Sequence, residues 1–125
     1  MKPSVETIEN NIQELRKALS GKTLLHAARN GGLVILNGAR ILVPVDTGAL
    51  RADLNVEDSE TTNTQAWVNV GSHMEYAEPV ELGHVTRSGS HVPAQPYLRP
   101  PADENKSEIV KVIAATIRKI IEAAL

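Results

Sequence analysis

The residue types best suited to chemistry in this chain are Asp46-Thr47-Gly48, four histidines and the serines of Ser88-Gly89-Ser90. Two aspartates from Asp-Thr-Gly sequences, sharing one proton, form the acid–base device of aspartic proteases, and a short chain can supply one to each half of a dimer. That device requires a β-rich, barrel-like body with the aspartate at the end of a buried strand. Here a helical pattern runs up to Val43, only Val43-Pro44-Val45 precedes Asp46, and another long helical pattern closes the chain. The expected role of Asp46 is therefore local. Its carboxylate accepts backbone N–H groups in the turn after Pro44, and Gly48 permits a tight bend. A dimeric protease of the retroviral type, using Asp46, is the enzymatic alternative.

The histidines, His26, His73, His84 and His91, include no pair at a zinc-motif spacing. Glu81 and His84 stand three apart, but Gly83 argues against one continuous helix holding both. His26 belongs on the polar margin of a helix and the others in solvated loops. Ser88 lacks the strand–turn–helix setting of a nucleophile elbow, so Ser88-Gly89-Ser90 reads as a loop tip. The expectation is no catalytic site, no metal site and no cofactor.

The elements that position these residues follow from hydrophobic spacing. Val5, Ile8, Ile12, Leu15 and Leu19 recur every three or four residues, giving an amphipathic helix that closes near Gly21. From Thr23 a second helix places Leu24, Ala28, Ile35, Ala39 and Leu42 on one face, with Leu25, Leu36 and Val43 beside it. Gly31-Gly32 interrupts it and predicts a kink or a close approach by another backbone, since each glycine costs about 1 kcal/mol against alanine. Pro44 ends the helix by forcing Val43 out of the helical region. Leu54 and Val56, then Ala66, Val68 and Val70, alternate with polar neighbours. They predict two antiparallel strands joined across residues 58–63. Residues 84–91 are polar and unpatterned. Pro100-Pro101 opens the last helix, with Asp103 and Glu104 in its first turn and a wide apolar stripe from Ile109 to Ala124.

These elements predict an α+β fold, a small antiparallel sheet packed against N-terminal and C-terminal amphipathic helices. One domain spans 1–125: helical over 4–43, strands and loops over 44–100 with a mobile loop at about 84–96, and a helix over 101–125. At 125 residues the chain is long enough for one core. It has no Phe and only Trp67, Tyr76 and Tyr97 as aromatics, so the core is expected to be aliphatic, from Ile, Leu, Val and Ala. The absence of cysteine excludes disulfides and thiolate metal sites. No apolar run reaches the roughly 20 residues of a membrane span, and no signal-peptide core precedes Glu6, so a cytosolic origin is expected.

The net charge of −2 conceals an asymmetry. Residues 1–43 hold six basic and three acidic side chains, residues 44–100 three basic and eight acidic, and residues 101–125 four of each. An acidic middle repels phosphate, and three aromatics offer little stacking surface, which argues against sequence-specific DNA binding. A basic end and an acidic middle can instead attract one another between copies. The segment Pro93-Ala94-Gln95-Pro96-Tyr97-Leu98-Arg99-Pro100 is semi-rigid before it meets anything. Tyr97 and Arg99 are types enriched at interfaces. Equally, Tyr97 and Leu98 can simply pin the segment to the core.

Three segments now stand in order: Val43-Pro44-Val45-Asp46-Thr47-Gly48-Ala49-Leu50-Arg51, then Tyr76-Ala77-Glu78-Pro79-Val80-Glu81-Leu82-Gly83, then Pro93 to Pro100. Together, over residues 33–102, they resemble the tail-completion, or head–tail joining, proteins of lambda-like long-tailed bacteriophages (siphophages). Such families often show Phe where this chain has Leu82 and Tyr97, and Thr where it has His84. The resemblance implies a small α+β subunit without enzymatic activity or cofactor. It also implies a ring, commonly of six copies, at the neck of the virion, built in the host cytoplasm. The implied partners are further copies, neighbouring neck and connector proteins, and tail-tube or tail-terminator proteins. DNA only passes through the lumen, and no membrane is involved. The interface candidates are Asp46, Thr47, Gly48, Leu50, Arg51, Tyr76, Glu81, Gly83, Pro93, Pro96, Tyr97, Leu98 and Arg99, with Arg51 and Arg99 pairing with carboxylates such as Glu81 across subunits. A small regulatory or toxin-like binding module is the other non-enzymatic reading.

Overall fold

The computed structural model describes residues 4–46 and 48–125. Helix α1 (Val5–Ala18) begins at Ser4, whose hydroxyl accepts the Thr7 N–H at 3.1 Å. Glu6 lies in its first turn and Arg16 and Lys17 in its last, each sign where the helix dipole favours it. Helix α2 (Gly21–Leu42) ends as Pro44 demands, with Val43 already extended at ψ 132°. A one-turn helix α3 (Ala49–Asp53) leads into an antiparallel hairpin, β1 (Asn55–Thr61) and β2 (Ala66–Gly71), in which Val56 faces Val70 and Asp58 faces Val68. Strand β1 runs further than the alternation predicts. The turn is 62–65 rather than 58–63, closed by Thr62, whose hydroxyl accepts the Gln65 N–H at 3.0 Å.

A short helix α4 (Ala77–Leu82) precedes a second hairpin, β3 (His84–Val85) with β4 (His91–Val92). The stretch read as an unpatterned loop therefore carries a ladder, one too short for alternation to reveal. Helices α5 (Arg99–Glu104) and α6 (Lys106–Ala124) follow. The architecture is α+β, as the patterning predicts. Among the described residues no helix is long and apolar enough to cross a membrane.

Helix α2 is the middle layer, with the β1–β2 hairpin on one flank and α6 on the other. Its adjacent glycines make this possible, and the helix stays regular through both. A β-carbon on Gly31 would stand 2.8 Å from the Ile113 side chain of α6, and one on Gly32 would stand 3.1 Å from Val56 of β1. Close approach is the consequence, and side chains rather than backbone do the approaching. Asn30 adds a hydrogen bond to the Thr116 hydroxyl at 3.0 Å.

Of the glycines of α2, Gly38 leaves the least room. A β-carbon there would lie 2.6 Å from Cβ and 2.9 Å from Cγ of Pro101, a ring that cannot rotate aside. Alanine in a helix interior normally gains about 1 kcal/mol over glycine. Overpacking against a rigid ring costs about 1–3 kcal/mol. Gly38→Ala is thus expected to lower the urea midpoint of unfolding despite its better helix propensity, and a raised midpoint would refute the contact.

The core is Leu36, Ala39, Val43, Leu50, Leu54, Ala77 and Tyr97, with Val56, Val70, Met74, Val80 and Leu98 packed around it. Two sequence expectations need correction. The core is not purely aliphatic, since Tyr97 is wholly enclosed. Nor is any isoleucine fully buried among the described residues, because the isoleucines of α6 lie half-buried on the outer side of α2. On α2 itself Ala27 is buried while Leu42 is exposed.

Candidate assembly interface

The first of the three segments forms the turn between α2 and α3. Gly48 takes a left-handed conformation (φ 79°) and serves as the N-cap of α3. Asp46 stands exposed two residues earlier. Thr47 lies outside the described residues. Leu50 is buried in the core and Arg51 is exposed. What precedes Asp46 is a helix end, not the buried strand that a protease aspartate requires.

The second and third segments form one unit. The Glu81 carboxylate, at the end of α4, sits over the start of α5. Its Oε2 accepts the N–H groups of Tyr97 (2.6 Å) and Leu98 (3.1 Å), and its Oε1 accepts that of Arg99 (3.0 Å). A carboxylate at three converging N–H groups is a charge-assisted cap supplied from 16 to 18 residues away. Both oxygens are thereby engaged within the chain. The Tyr97 phenol donates to the Ala77 carbonyl at 2.9 Å, and burial, then the Glu81 charge, raises its pKa and keeps it protonated. The Gln95 N–H donates to the Val80 carbonyl at 2.9 Å.

Helix α4 contributes to two shallow clefts. One, of about 340 Å³, is lined by Pro44, Asp46, Gly48, Leu50, Tyr76 and Val80, which joins the first segment to the second. The other, of about 330 Å³, is lined by residues that include Glu81, Leu82, Pro96, Arg99 and Asp103, and joins the second to the third. Of the sequence candidates, Asp46, Arg51, Tyr76, Pro93, Pro96 and Arg99 are exposed. Gly48, Glu81, Gly83 and Leu98 are half-buried, while Leu50 and Tyr97 are enclosed. The Leu82 side chain and the acids Asp103 and Glu104 of the second cleft carry no spacing signal, and sequence reasoning passed over them as cleft residues.

Sequence reading also missed a polar cluster on the hairpin's outer side. Ser72 Oγ donates to Asp53 Oδ2 at 2.5 Å and the His73 N–H donates to the same oxygen at 3.1 Å. These two bonds, the hydroxyl's first, hold the Asp53 carboxyl below the usual range. His73 Nε2 stands 2.7 Å from both Glu57 oxygens, and that hydrogen bond, then the charge behind it, raises the imidazole pKa. The pairs are at the surface and contribute modestly. Their signs differ. The His73 contribution is complete below the ordinary imidazole pKa and is lost as pH rises through the raised one. The Asp53 contribution is complete above the ordinary carboxyl pKa and is lost as pH falls through the lowered one. The melting temperature is therefore expected to decline gently above about pH 6.5. That decline should flatten in His73→Gln; an unchanged slope would detach it from this pair. Elsewhere Arg29 ties α2 to β1 through Asp58, while His26, His84 and His91 are exposed.

The subunit also leaves apolar surface uncovered. No residue of α1 is buried, and Val5 is 73% exposed, with Ile8 and Ile12 beside it. A groove of about 820 Å³ runs between Ile12, Leu15, Leu19 and Leu24 and the β1–β2 turn at Asn63 and Thr64, with Arg16 and Lys17 on its rim. Uncovered apolar faces with polar rims mark surfaces that meet partners.

A family model described as "Bacteriophage HK97-gp10, putative tail-component" matches residues 6–83. The chain belongs to this HK97-gp10-like family. It is a bacteriophage tail component, and its place is in the virion among other virion proteins. The matched span takes in α1 from its second residue through α4, including the residues that line the Asp46–Tyr76 cleft, and stops where β3 begins. The Pro93–Pro100 segment lies beyond it. No curated protein and no solved structure matches the chain.

Proposed function

We propose that this tail component is a tail-completion or head–tail joining subunit. In that role it forms a ring, commonly of six copies, at the neck and joins the tail to the capsid. The observation that carries the reading is the gathering of all three sequence segments around α4, where they frame two open clefts. The exposed apolar face of α1 supports it, being a surface that one subunit alone does not cover. Copies and the neighbouring neck, connector and tail-tube or tail-terminator proteins would share these surfaces. The acidic residues 44–100, placed toward the lumen, would keep passing DNA from adhering. Arg99 and Arg51 would pair with acids of a neighbour, setting register more than affinity. Glu81 is already engaged by N–H groups of its own chain, so Asp103, Glu104 and Asp46 are the better partners.

A phage lacking this gene is expected to accumulate separate heads and tails, which the purified chain joins in vitro. Placing like charges against one another at an interface costs several kcal/mol. Arg99→Glu should therefore fold normally by circular dichroism yet fail to join heads to tails, lowering infectious titre by orders of magnitude. Full titre from Arg99→Glu would remove Arg99 from the interface, and joining without the protein would end the proposal.

A further inference from the structure

The segment that leaves α4 at Gly83 returns at Val92 almost without burying itself. Between His84 and His91 only Thr86 is half-buried, and Val85 is 60% exposed. Strands β3 and β4 make their principal contacts with each other. The turn is closed from within. The Thr86 N–H donates to the Ser90 carbonyl and the Gly89 N–H to the Thr86 carbonyl, each at 2.9 Å, while the Thr86 hydroxyl accepts the Ser90 N–H at 3.2 Å. An isolated pair of strands is marginal in water, and this one is fixed at its root by the Gln95–Val80 hydrogen bond. It is a formed arm whose side chains are mostly exposed. Arg87 is its one basic side chain beside two histidines, and residues 84–91 hold no carboxylate.

The Asp46–Tyr76 cleft is complementary. Its lining is mainly apolar, from Pro44, Leu50, Tyr76 and Val80, and Asp46 is its one charged lining residue. Glu75 and Glu78, both exposed, flank Tyr76, and of the nearby bases Arg51 follows Leu50 on α3. Arm and cleft lie at opposite ends of α4: Tyr76 is its N-cap and Gly83 its C-cap. We infer that the arm of one copy seats in the Asp46–Tyr76 cleft of the next. Val85 packs against Tyr76 and Val80, and Arg87 pairs with Asp46. This rests on the reading of the chain as an assembling subunit and names the contact. Where a copy gives its arm to one neighbour and receives one from another, the contact is head-to-tail and closes into a ring when its rotation allows.

The chain contains no cysteine, so an introduced pair reports without background. Val85→Cys and Tyr76→Cys are made in separate chains of different mass. They are mixed, oxidised and weighed, both as purified protein and within joined particles. A disulfide forms only where the β-carbons come close. The mixed Val85–Tyr76 disulfide should exceed both homodimers. Arg87→Glu on the arm chain, or Asp46→Arg on the cleft chain, should each reduce it on the order of tenfold, and the two together should restore it. Mixed disulfide no more abundant than chance pairing in both preparations, or indifferent to both charge reversals, overturns the inference. Joining of heads to tails is scored in parallel. Joining without the cross-link removes the arm contact and leaves the neck reading standing; the cross-link without joining does the reverse.

Discussion

Tyr97→Ala is expected to cost about 3–5 kcal/mol of folding stability, the range for removing a buried aromatic side chain. Tyr97→Phe is expected to cost only about 0.5–1.5 kcal/mol, the net value of one hydrogen bond. The difference between them measures packing separately from the Ala77 hydrogen bond. Tyr97 is one of the two largest side chains fully enclosed by the fold, and it meets residues from α2, α3 and α4 in a single cluster. Its backbone N–H is one of three held by Glu81, so losing the ring also loosens the start of α5. A net stability of 5–15 kcal/mol is usual for a domain, so the alanine variant should unfold at markedly lower urea while the phenylalanine variant stays close to the parent. Equal midpoints for the two variants would mean that the ring fills no essential space.

The sequence made its local features legible and its long-range pairings illegible, for one reason. Pro44 stops α2 through sterics confined to its neighbour, and strand alternation marks the two strands of the β1–β2 hairpin, though not the place of its turn. The three proline- and glycine-rich segments were visible as well, since turns have chemistry of their own. Nothing in spacing, however, says that a carboxylate at 81 will meet N–H groups at 97, 98 and 99. Nor does spacing join Asp53 to Ser72. Tyr97 is instructive because its residue type suits an interface and a core equally; only the closure of α4 against α5, which brings the Ala77 carbonyl to its hydroxyl, decides for the core. The β3–β4 ladder is two residues per strand, too few for a period to register.

Gly83→Ala is expected to cost about 3 kcal/mol or more, and to act on the arm as much as on stability. Gly83 has φ 80° and ψ 167°, a region essentially closed to residues with a β-carbon, which alone costs about 1–3 kcal/mol. Its neighbours make matters worse. A β-carbon would stand 2.9 Å from both the Ala94 nitrogen and the Val92 carbonyl oxygen, and 3.3 Å from the Pro93 carbonyl carbon. These are backbone atoms at the arm's root, with no rotamer to give way, so relief requires β4 to move away from α4. Gly89→Ala supplies the control. Gly89 also has a positive φ of 86°, but a β-carbon there meets nothing within 4 Å, so that variant carries conformational strain without the collision. Urea unfolding of the two variants should place Gly83→Ala well below Gly89→Ala. If they coincide, the crowding at the root is relieved at no cost, and the arm is not held in the fixed direction that its seating in a neighbouring cleft requires.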